Sequence, residues 1–408
     1  MDLLKSAGKP HEIAALLRFK IVGSAVVPKV DYASLTDSGR ACYEFLNKTS
    51  RSFAAVIQAL DGDLRDAVCI FYLVLRALDT VEDDMTIPLD VKVPMLKSFY
   101  KNLQDPVWKF MDSKEKDKIV LEQFPQITAE FQKLKPLYQE VISDITQRMG
   151  EGMCKYMQAD VDTLEDWDEY CHYVAGLVGI GLSRLFSASN FEDPIVGEDT
   201  ELSNSMGLFL QKINIIRDYL EDSLEGRIFW PKQVWSKYAL KFEDLAKPEK
   251  RGDALACLNE LISSALRHVP DVIKYMARLR NPSVFNFCAI PQVMAIGTYE
   301  RCYNNPNVFE GIVKIRKGEA VRLMMESTSL DGVKAIMSYF LTQMASRIPS
   351  TDPSADIMRS RTNQYLQICR TEQVFATSSK YLPVYVSMVM LTAAIAWQNW
   401  TQLCGLYN

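Results

Sequence analysis

The chain has 408 residues, of which 46 are Lys or Arg and 51 are Asp or Glu, so its formal net charge is −5. Hydrophobic residues make up 48% and charged residues 24% of the sequence, a balance typical of folded proteins and not of disordered ones. The small negative charge provides little attraction for phosphate backbones and disfavours sequence-independent binding of nucleic acid.

The cysteines and histidines narrow the chemistry further. Nine cysteines are spread along the chain without a CxxC pair, which argues against a disulfide framework or a zinc site and indicates a reducing compartment. The histidines are His11, His172 and His268, too few for chemistry that rests on several imidazoles, so carboxylates, tyrosines, basic side chains and bound metal remain. The first residues are charged and carry one short apolar stretch, so no signal peptide is expected.

Helical periodicity dominates the chain, and strand-type alternation is almost absent. Apolar residues from Leu64 to Leu78 fall at steps of three and four after the start signal at 61–63. Similar spacing predicts helices over 40–60, 125–158, 165–188, 200–222, 253–280 and 284–303. The pattern predicts a single all-α body over residues 1–347.

Two acidic motifs of the form D-x-x-E-D carry the predicted chemistry, one at 79–83 and one at 218–222. Steps of three and four residues place the acidic side chains on one helical face, where they repel each other unless cations bind. Oxygen-only ligands suit Mg²⁺, which completes its shell with water and phosphate oxygens. The predicted metal ligands are Asp79, Glu82, Asp83, Asp218, Glu221 and Asp222.

Each of these motifs lies in a mixed polar stripe. Tyr72 and Arg76 precede the first motif at helical steps, and Gln211 and Asn214 precede the second. Candidates for charge-assisted hydrogen bonds to phosphate are Ser50, Arg51, Arg217 and Arg227. On these residues alone, intrahelical salt bridges on a solvated face remain an alternative.

A third D-x-x-E-D sequence at 162–166 lacks such neighbours and serves as an internal control. We interpret it as a helix start, with Asp162 as the N-cap and Glu165 in the capping-box position. Acidic residues near a helix N-terminus are favoured by the helix dipole. This copy is therefore predicted to be structural.

The end of the chain has a different character, because no charged residue follows Lys380 and 382–400 is nearly continuously apolar. A bilayer-spanning helix needs about 20 such residues. Aromatic residues lie toward both ends of the stretch, as at membrane interfaces. We predict a C-terminal transmembrane anchor at 381–408, joined to the body by a flexible polar tether at 348–380, with a buried C-terminal helix as the alternative.

Several runs resemble the squalene and phytoene synthase family over essentially the whole chain. They are the first motif after Leu78, Tyr170–Gly179, Gln211–Asp222, Phe285–Gln292 and Val313–Gly318. The last two runs resemble the reductive, squalene-forming branch. The resemblance implies the isoprenoid-synthase helical fold with a central active-site cavity.

The same resemblance implies a two-step reaction on two molecules of farnesyl diphosphate. Head-to-head condensation gives presqualene diphosphate, which is then ionised, rearranged and reduced by NADPH. Mg²⁺ on the two acidic motifs would neutralise each departing diphosphate. The resemblance also implies that Tyr170 is the residue that assists the first step.

Further roles are implied for individual residues. Aromatic rings that would stabilise carbocations are Phe53, Phe285 and Phe287. Cations that would hold NADPH phosphates are Arg51, Arg76, Arg217, Lys314, Arg316 and Lys317. Other substrate contacts are assigned to Ser50, Tyr72, Gln211, Asn214, Glu221 and Arg227. The small residues Gly176, Gly179 and Ser183 would let either a prenyl chain or another helix approach closely.

Two other functions stay open: non-reductive condensation like that of phytoene synthase, and a non-enzymatic, tail-anchored helical scaffold. The resemblance and the apolar C-terminus together imply a monomer in the endoplasmic reticulum membrane, with its catalytic body in the cytosol.

Overall fold

The computed structural model describes residues 10–22, 27–50, 53–373, 375 and 387. These residues form helices joined by loops, and no β-strand occurs among them, which confirms the all-α prediction. The eight cysteines in this part of the chain are buried and free, in agreement with the absence of a disulfide framework. The predicted cofactor residue Arg51 lies outside the described residues.

The α-helices are numbered in chain order. The first half contains α1 (Pro10–Val22), α2 (Asp37–Thr49), α3 (Phe53–Gln58), α4 (Leu64–Asp83), α5 (Leu89–Ser98), α6 (Ile119–Glu122), α7 (Phe124–Phe131), α8 (Pro136–Tyr156), α9 (Leu164–Cys171) and α10 (Leu177–Ala188). The second half contains α11 (Pro194–Glu198), α12 (Thr200–Arg217), α13 (Tyr219–Leu224), α14 (Lys232–Trp235), α15 (Arg251–Ala265), α16 (Val269–Met276), α17 (Pro282–Cys302), α18 (Lys317–Glu326), α19 (Leu330–Ser346) and α20 (Ala355–Ile368).

Shorter helical segments join these elements. They are the 3₁₀ turns Phe99–Gln104, Phe242–Ala246, Pro248–Lys250, Leu266–His268 and Pro306–Phe309, and the π-helical turn His172–Gly176.

Helix α4 carries the first acidic motif and forms as its sequence predicts. Gly62 adopts a positive φ of 55° that turns the chain just before the helix. The apolar stripe that follows is buried, with Leu64 and Leu78 fully inaccessible to solvent. Burial of one face fixes the rotation of the helix and leaves the motif on the other.

Helix α12 lies at the centre of the body, where it contacts α10, α16, α17 and the π-helical turn. Small residues allow this close packing. A Cβ at Gly179 would lie 2.2 Å from the carbonyl oxygen of Ser203, and one at Gly207 would lie 2.2 Å from that of Ala175. The predicted small-residue stripe therefore serves helix packing, although Gly179 also borders a cavity described below.

Two predicted helices are interrupted. The segment predicted at 165–188 contains the π-helical turn His172–Gly176 directly after α9, and such turns are frequent at functional sites. The segment predicted at 200–222 breaks at Asp218, whose backbone has φ −92° and ψ 15°. The sequence periodicity did not indicate either interruption, because apolar spacing is almost the same on both sides of each.

The third D-x-x-E-D sequence begins a helix, as predicted, but the predicted cap is wrong by one residue. Thr163 is the N-cap of α9, and its hydroxyl accepts a hydrogen bond from the backbone N–H of Asp166 at 3.0 Å. The Asp166 carboxylate in turn accepts from the backbone N–H of Thr163 at 2.8 Å. A reciprocal capping box therefore forms at 163–166 and not with Asp162 and Glu165.

The prediction of a flexible tether is wrong for residues 355–368, which form α20. This helix packs on α15, α16 and α19, and its residues Met358, Thr362 and Tyr365 are buried. The buried side chains on one face of this helix hold it against the body, although the polar composition of the segment suggested a tether. Within the described residues no helix has the length and apolarity to cross a bilayer. The predicted anchor at 381–408 lies outside them except for Ser387.

Candidate active site

Two cavities adjoin each other at the centre of the helical body. The carboxylate cavity, of about 300 Å³, is lined by both acidic motifs together with Tyr170 and Arg227. The apolar cavity, of about 310 Å³, is lined mainly by hydrophobic side chains. Asp79, Gln211 and Asn214 line both cavities. A polar compartment and an apolar compartment therefore share one border.

All six predicted metal ligands line the carboxylate cavity. The first motif projects from the last two turns of α4, while the second spans the junction of α12 and α13. Asp218 caps the end of α12, and Glu221 and Asp222 lie in the first turn of α13. The fold thus brings the two motifs to one cavity, as their sequences predicted.

Arg227 joins the two motifs. One of its terminal nitrogens, Nη1, lies 3.5 Å from the Asp83 carboxylate, and the other, Nη2, donates to Asp222 at 3.0 Å. Nη2 also lies 2.7 Å from Glu225. A single guanidinium therefore offsets part of the negative charge on both sides of the cavity.

Three carboxyl groups of the cavity hold protons more tightly than usual. Burial raises the pKa of Asp79 to about 6, although Arg76 opposes the shift. Burial, Asp83 and Asp79 raise the pKa of Glu82 to about 8. Burial also raises the pKa of Asp222 to about 7 against the attraction of Arg227. Burial makes the largest contribution to each shift, and neighbouring carboxylates add to it.

The donor set fits Mg²⁺ in chemistry. Mg²⁺ prefers oxygen ligands and is commonly held by one or two carboxylates, with waters and substrate phosphates filling the remaining positions. In the described part of the chain, no three acidic, cysteine or histidine side chains converge on one point as a complete metal site.

Tyr170 lies between the two motifs in the wall of the carboxylate cavity. Its ring stacks on that of Phe229 with centroids 4.8 Å apart. Burial and the nearby Glu82 raise the pKa of Tyr170 well above its usual range. The phenol is therefore protonated at neutral pH.

The apolar cavity is lined by residues of seven α-helices and the π-helical turn, and it contains several aromatic rings. Phe53 and Phe287 line it, as predicted, and Phe186 adds a ring edge-on to Phe287 at 5.9 Å. Ser183 and Tyr275 pair through their hydroxyls at 2.6 Å near this wall. Few polar groups face this space, so it favours a hydrocarbon chain over water.

Arg76 lies at the border of the cavities. Its guanidinium is 3.8 Å from Asp79 and 3.9 Å from Asp117, and its Nε donates to the Tyr72 hydroxyl at 3.4 Å. Arg76 also lies over the Tyr72 ring at 5.6 Å. Tyr72 and Arg76, both predicted as site residues, line the apolar cavity beside the first motif.

The end of α4 is held by buried charges that the sequence did not single out. The Asp84 carboxylate is inaccessible to solvent and accepts hydrogen bonds from Thr86, from the Ser113 hydroxyl and from the backbone N–H of Lys114. The buried Lys92 donates to the carbonyl of Glu82 at 2.7 Å. These contacts fix the turn that presents Glu82 and Asp83.

Several predicted residues line neither cavity. The Ser50 hydroxyl instead accepts from the backbone N–H of Phe53 at 3.0 Å, and Phe285 is buried in the core. Arg217 forms a bidentate pair with Asp218, a predicted metal ligand, at 2.8 and 2.6 Å.

The predicted cofactor residues near 314–317 also lie outside both cavities. Lys314 and Lys317 are exposed. Arg316 donates to the buried Glu12 at 2.7 Å and lies 3.4 Å from Glu319. Of the predicted cofactor-binding cations that the structure describes, Arg76 alone lines either cavity.

Sequence reasoning missed Phe229, Asp117, Asp84 and Lys92. Phe229 follows Arg227 by two residues, and this proximity to a predicted site residue could have indicated it. Asp84 directly follows the first motif. Asp117 and Lys92 carry no local signal, because Asp117 on a loop and Lys92 on α5 reach α4 only through the tertiary fold.

Comparison with known proteins agrees with this geometry. The squalene/phytoene synthase family model matches residues 46–319. Squalene synthase of Homo sapiens is 59% identical over 408 residues, covering 99% of this chain and 97% of the relative. Squalene synthase of Rattus norvegicus is 58% identical over 403 residues, covering 98% and 96%. A solved complex of TcSQS with a ligand has a TM-score of 0.81 at 43% identity, covering 83% of this chain and 99% of that one. The chain belongs to the squalene/phytoene synthase family, and it has the helical fold of these proteins.

Proposed function

We propose that this chain is a squalene synthase, which joins two farnesyl diphosphates head to head and reduces the product to squalene. The observation that carries the proposal is the shared border between the carboxylate and apolar cavities, formed by Asp79, Gln211 and Asn214. A substrate with a diphosphate head and a C15 tail matches these two compartments. Relatives of 58% and 59% identity over nearly the whole chain bear the same name.

The proposed reaction has two steps. In the first, a carbon–carbon bond forms between two farnesyl groups, and one diphosphate and one proton leave, which gives presqualene diphosphate. In the second, the remaining diphosphate leaves, the carbocation rearranges, and a hydride from NADPH neutralises it, which gives squalene. Both steps need a site that stabilises a departing diphosphate.

The six carboxylates of the two acidic motifs, which line the carboxylate cavity, would hold Mg²⁺. The chemistry that bound Mg²⁺ supplies is neutralisation of negative charge on the departing diphosphate. Arg227 and Arg76 add fixed positive charge next to the metal ligands. Gln211 and Asn214 orient the substrate where the two cavities meet.

Tyr170 acts from the wall of the carboxylate cavity. Because its phenol keeps its proton, it donates a hydrogen bond into the space where the first diphosphate ionises. Its face and that of Phe229 lie parallel, so their negative quadrupoles border the developing carbocation. The apolar cavity with Phe53 and Phe287 then keeps water away from later cations.

The proposal includes NADPH as hydride donor, on the resemblance of the chain to the reductive branch. Arg217 and Arg316 are both engaged with carboxylates, so their described arrangement does not form a dinucleotide site on its own. We therefore assign no step to individual cofactor-binding residues.

We also propose that residues 381–408 anchor the chain in the endoplasmic reticulum membrane and that the body is monomeric and faces the cytosol. The charge-free apolar sequence after Lys380 supports this. Because α20 packs on the body, the catalytic unit extends at least to residue 368, and the tether is correspondingly shorter than predicted.

The test is incubation of the full chain in detergent with farnesyl diphosphate and Mg²⁺, with and without NADPH. We expect squalene with NADPH, and presqualene diphosphate or derived alcohols without it. A C30 hydrocarbon formed equally well in both reactions would favour non-reductive condensation. No consumption of farnesyl diphosphate in either would favour the scaffold.

A further inference from the structure

A buried lysine lies directly behind the active site. Lys212 follows Gln211 on α12, but its side chain points away from the cavities and is 0% exposed to solvent. Burial of an ammonium group in such a position is unfavourable unless charged and polar partners surround it. Neither the acidic motifs nor the proposed chemistry requires a lysine here.

Three partners surround the Lys212 ammonium. It forms an ion pair with Asp168 and lies 4.8 Å from the centre of the Trp167 ring, both on α9. It also lies 3.0 Å from Nε2 of His268. Burial and the charges of Lys212 and Arg267 lower the pKa of His268 to about 2, so the imidazole is neutral and accepts this bond.

The network continues beyond the imidazole. With Nε2 as acceptor, Nδ1 carries the proton and donates to the Ser205 hydroxyl at 3.3 Å. Ser205 then donates to Asp271 at 2.8 Å. Arg267 forms a second ion pair with Asp168. The network therefore joins α9, α12 and α16. Its central members Lys212, His268 and Ser205 are buried, whereas the charged groups at its ends are about one third exposed.

The position of Tyr170 depends on this network for a geometric reason. Asp168 precedes Tyr170 by two residues, and the π-helical turn begins just after α9. A π-helical turn interrupts the regular backbone hydrogen bonds of a helix. Side-chain contacts therefore contribute more to the position of the C-terminal end of α9. Lys212 binds both Trp167 and Asp168, whereas its neighbour Gln211 lines the two cavities.

The geometry points to Lys212 as a positioning residue that fixes Tyr170 relative to Gln211 and Asn214. This inference rests on the proposed function, because it assigns Lys212 to the first step, in which Tyr170 acts. A displacement of about 1 Å at a reacting group can cost on the order of 100-fold in rate. The second step starts from presqualene diphosphate and does not depend on Tyr170 in this scheme.

The test is Lys212→Met, which keeps an unbranched side chain without the ammonium group and leaves Asp168 paired with Arg267. We expect consumption of farnesyl diphosphate to fall by about 10-fold to 100-fold. Conversion of added presqualene diphosphate to squalene should change by less than about threefold. Asp168→Asn, which removes the charge of the partner, should produce the same separation of the two steps.

The matched control is Lys155→Met. Lys155 also pairs with α9, through Glu169, but its side chain is 49% exposed, and exposed ion pairs contribute little. Both steps should stay within about twofold of the unaltered chain. Circular dichroism and thermal melting of each variant establish that the fold is retained.

The outcomes are distinct. Equal losses in both steps, no loss in either, or unfolding of both network variants would each overturn the positioning role. If the unaltered chain formed neither presqualene diphosphate nor squalene, the proposed function itself would fail, whatever the variants did.

Discussion

The carboxylate of Asp83 lies 3.5 Å from the guanidinium of Arg227, and this ion pair joins the two acidic motifs across the cavity. The pair is partly open to solvent, with the two side chains 47% and 31% exposed. Its Coulomb energy is therefore modest. Its importance is geometric, since it holds one motif opposite the other before any cation binds.

The first prediction is that Asp83→Asn abolishes most catalysis without unfolding the protein. Loss of one metal ligand should lower kcat/KM for farnesyl diphosphate by at least about 100-fold, while relief of repulsion leaves the melting temperature unchanged or higher. Steady-state kinetics over a range of Mg²⁺ concentrations and thermal melting measure both quantities.

The control for this variant is Asp162→Asn in the third D-x-x-E-D sequence. Asp162 is exposed and is not the cap of α9, so its loss should leave activity within about twofold. Full activity of Asp83→Asn at saturating Mg²⁺ would contradict the metal assignment.

Helical periodicity was sufficient to predict which acidic side chains share a helical face, whereas a central cavity was implied by the family resemblance. Steps of three and four residues determine which side chains share a face, and this rule is local. The rule holds for Asp79 and Asp83 on α4. It also holds for the second motif, because α13 begins directly after the break at Asp218.

Contacts between distant segments could not be predicted in this way. Arg316 resembles a free cation in the sequence, yet it pairs with Glu12 from the start of the chain. Lys92 resembles a surface lysine, yet it is buried at the end of α4. Such pairings depend on tertiary packing, which periodicity does not encode.

The second prediction concerns pH and Mg²⁺. The folded-state pKa values of Asp222 and Glu82, about 7 and about 8, exceed those of the unfolded chain. The folded state therefore binds more protons, and without divalent cations its free energy of unfolding falls as the pH rises from 6 to 8. Mg²⁺ binds the deprotonated groups, so it should raise the melting temperature more at pH 8 than at pH 6.

Differential scanning fluorimetry with EDTA or Mg²⁺ at both pH values measures this dependence. Glu82→Gln removes one of the titrating groups and should flatten the pH dependence in EDTA. A larger stabilisation by Mg²⁺ at pH 6 than at pH 8 would argue against these carboxylates as the binding groups.

The third prediction is that Asp84→Ala destabilises the protein, in contrast to Asp83→Asn. The hydrogen bonds to the Asp84 carboxylate hold its pKa at about 2. Its removal leaves the buried Ser113 hydroxyl, and the donors of Thr86 and Lys114, without their acceptor. We expect a loss of about 3 kcal/mol in the free energy of unfolding. Urea denaturation in the presence of Mg²⁺ measures it, and an unchanged midpoint would contradict the anchoring role.

The last prediction compares two truncations. Phe375 is buried, packs on Tyr339 at 5.1 Å and lies under the Arg322 guanidinium at 3.8 Å. A chain that ends at residue 380 keeps this contact and α20, so it should be released from membranes without detergent and retain activity. A chain that ends at 347 loses α20 and exposes the core residues beneath it, so it should melt at least about 5 °C lower. Membrane fractionation, thermal melting and squalene formation distinguish the two. Equal stability of both chains would restore the flexible tether over 348–380, whereas membrane binding of the longer chain would place the anchor before residue 381.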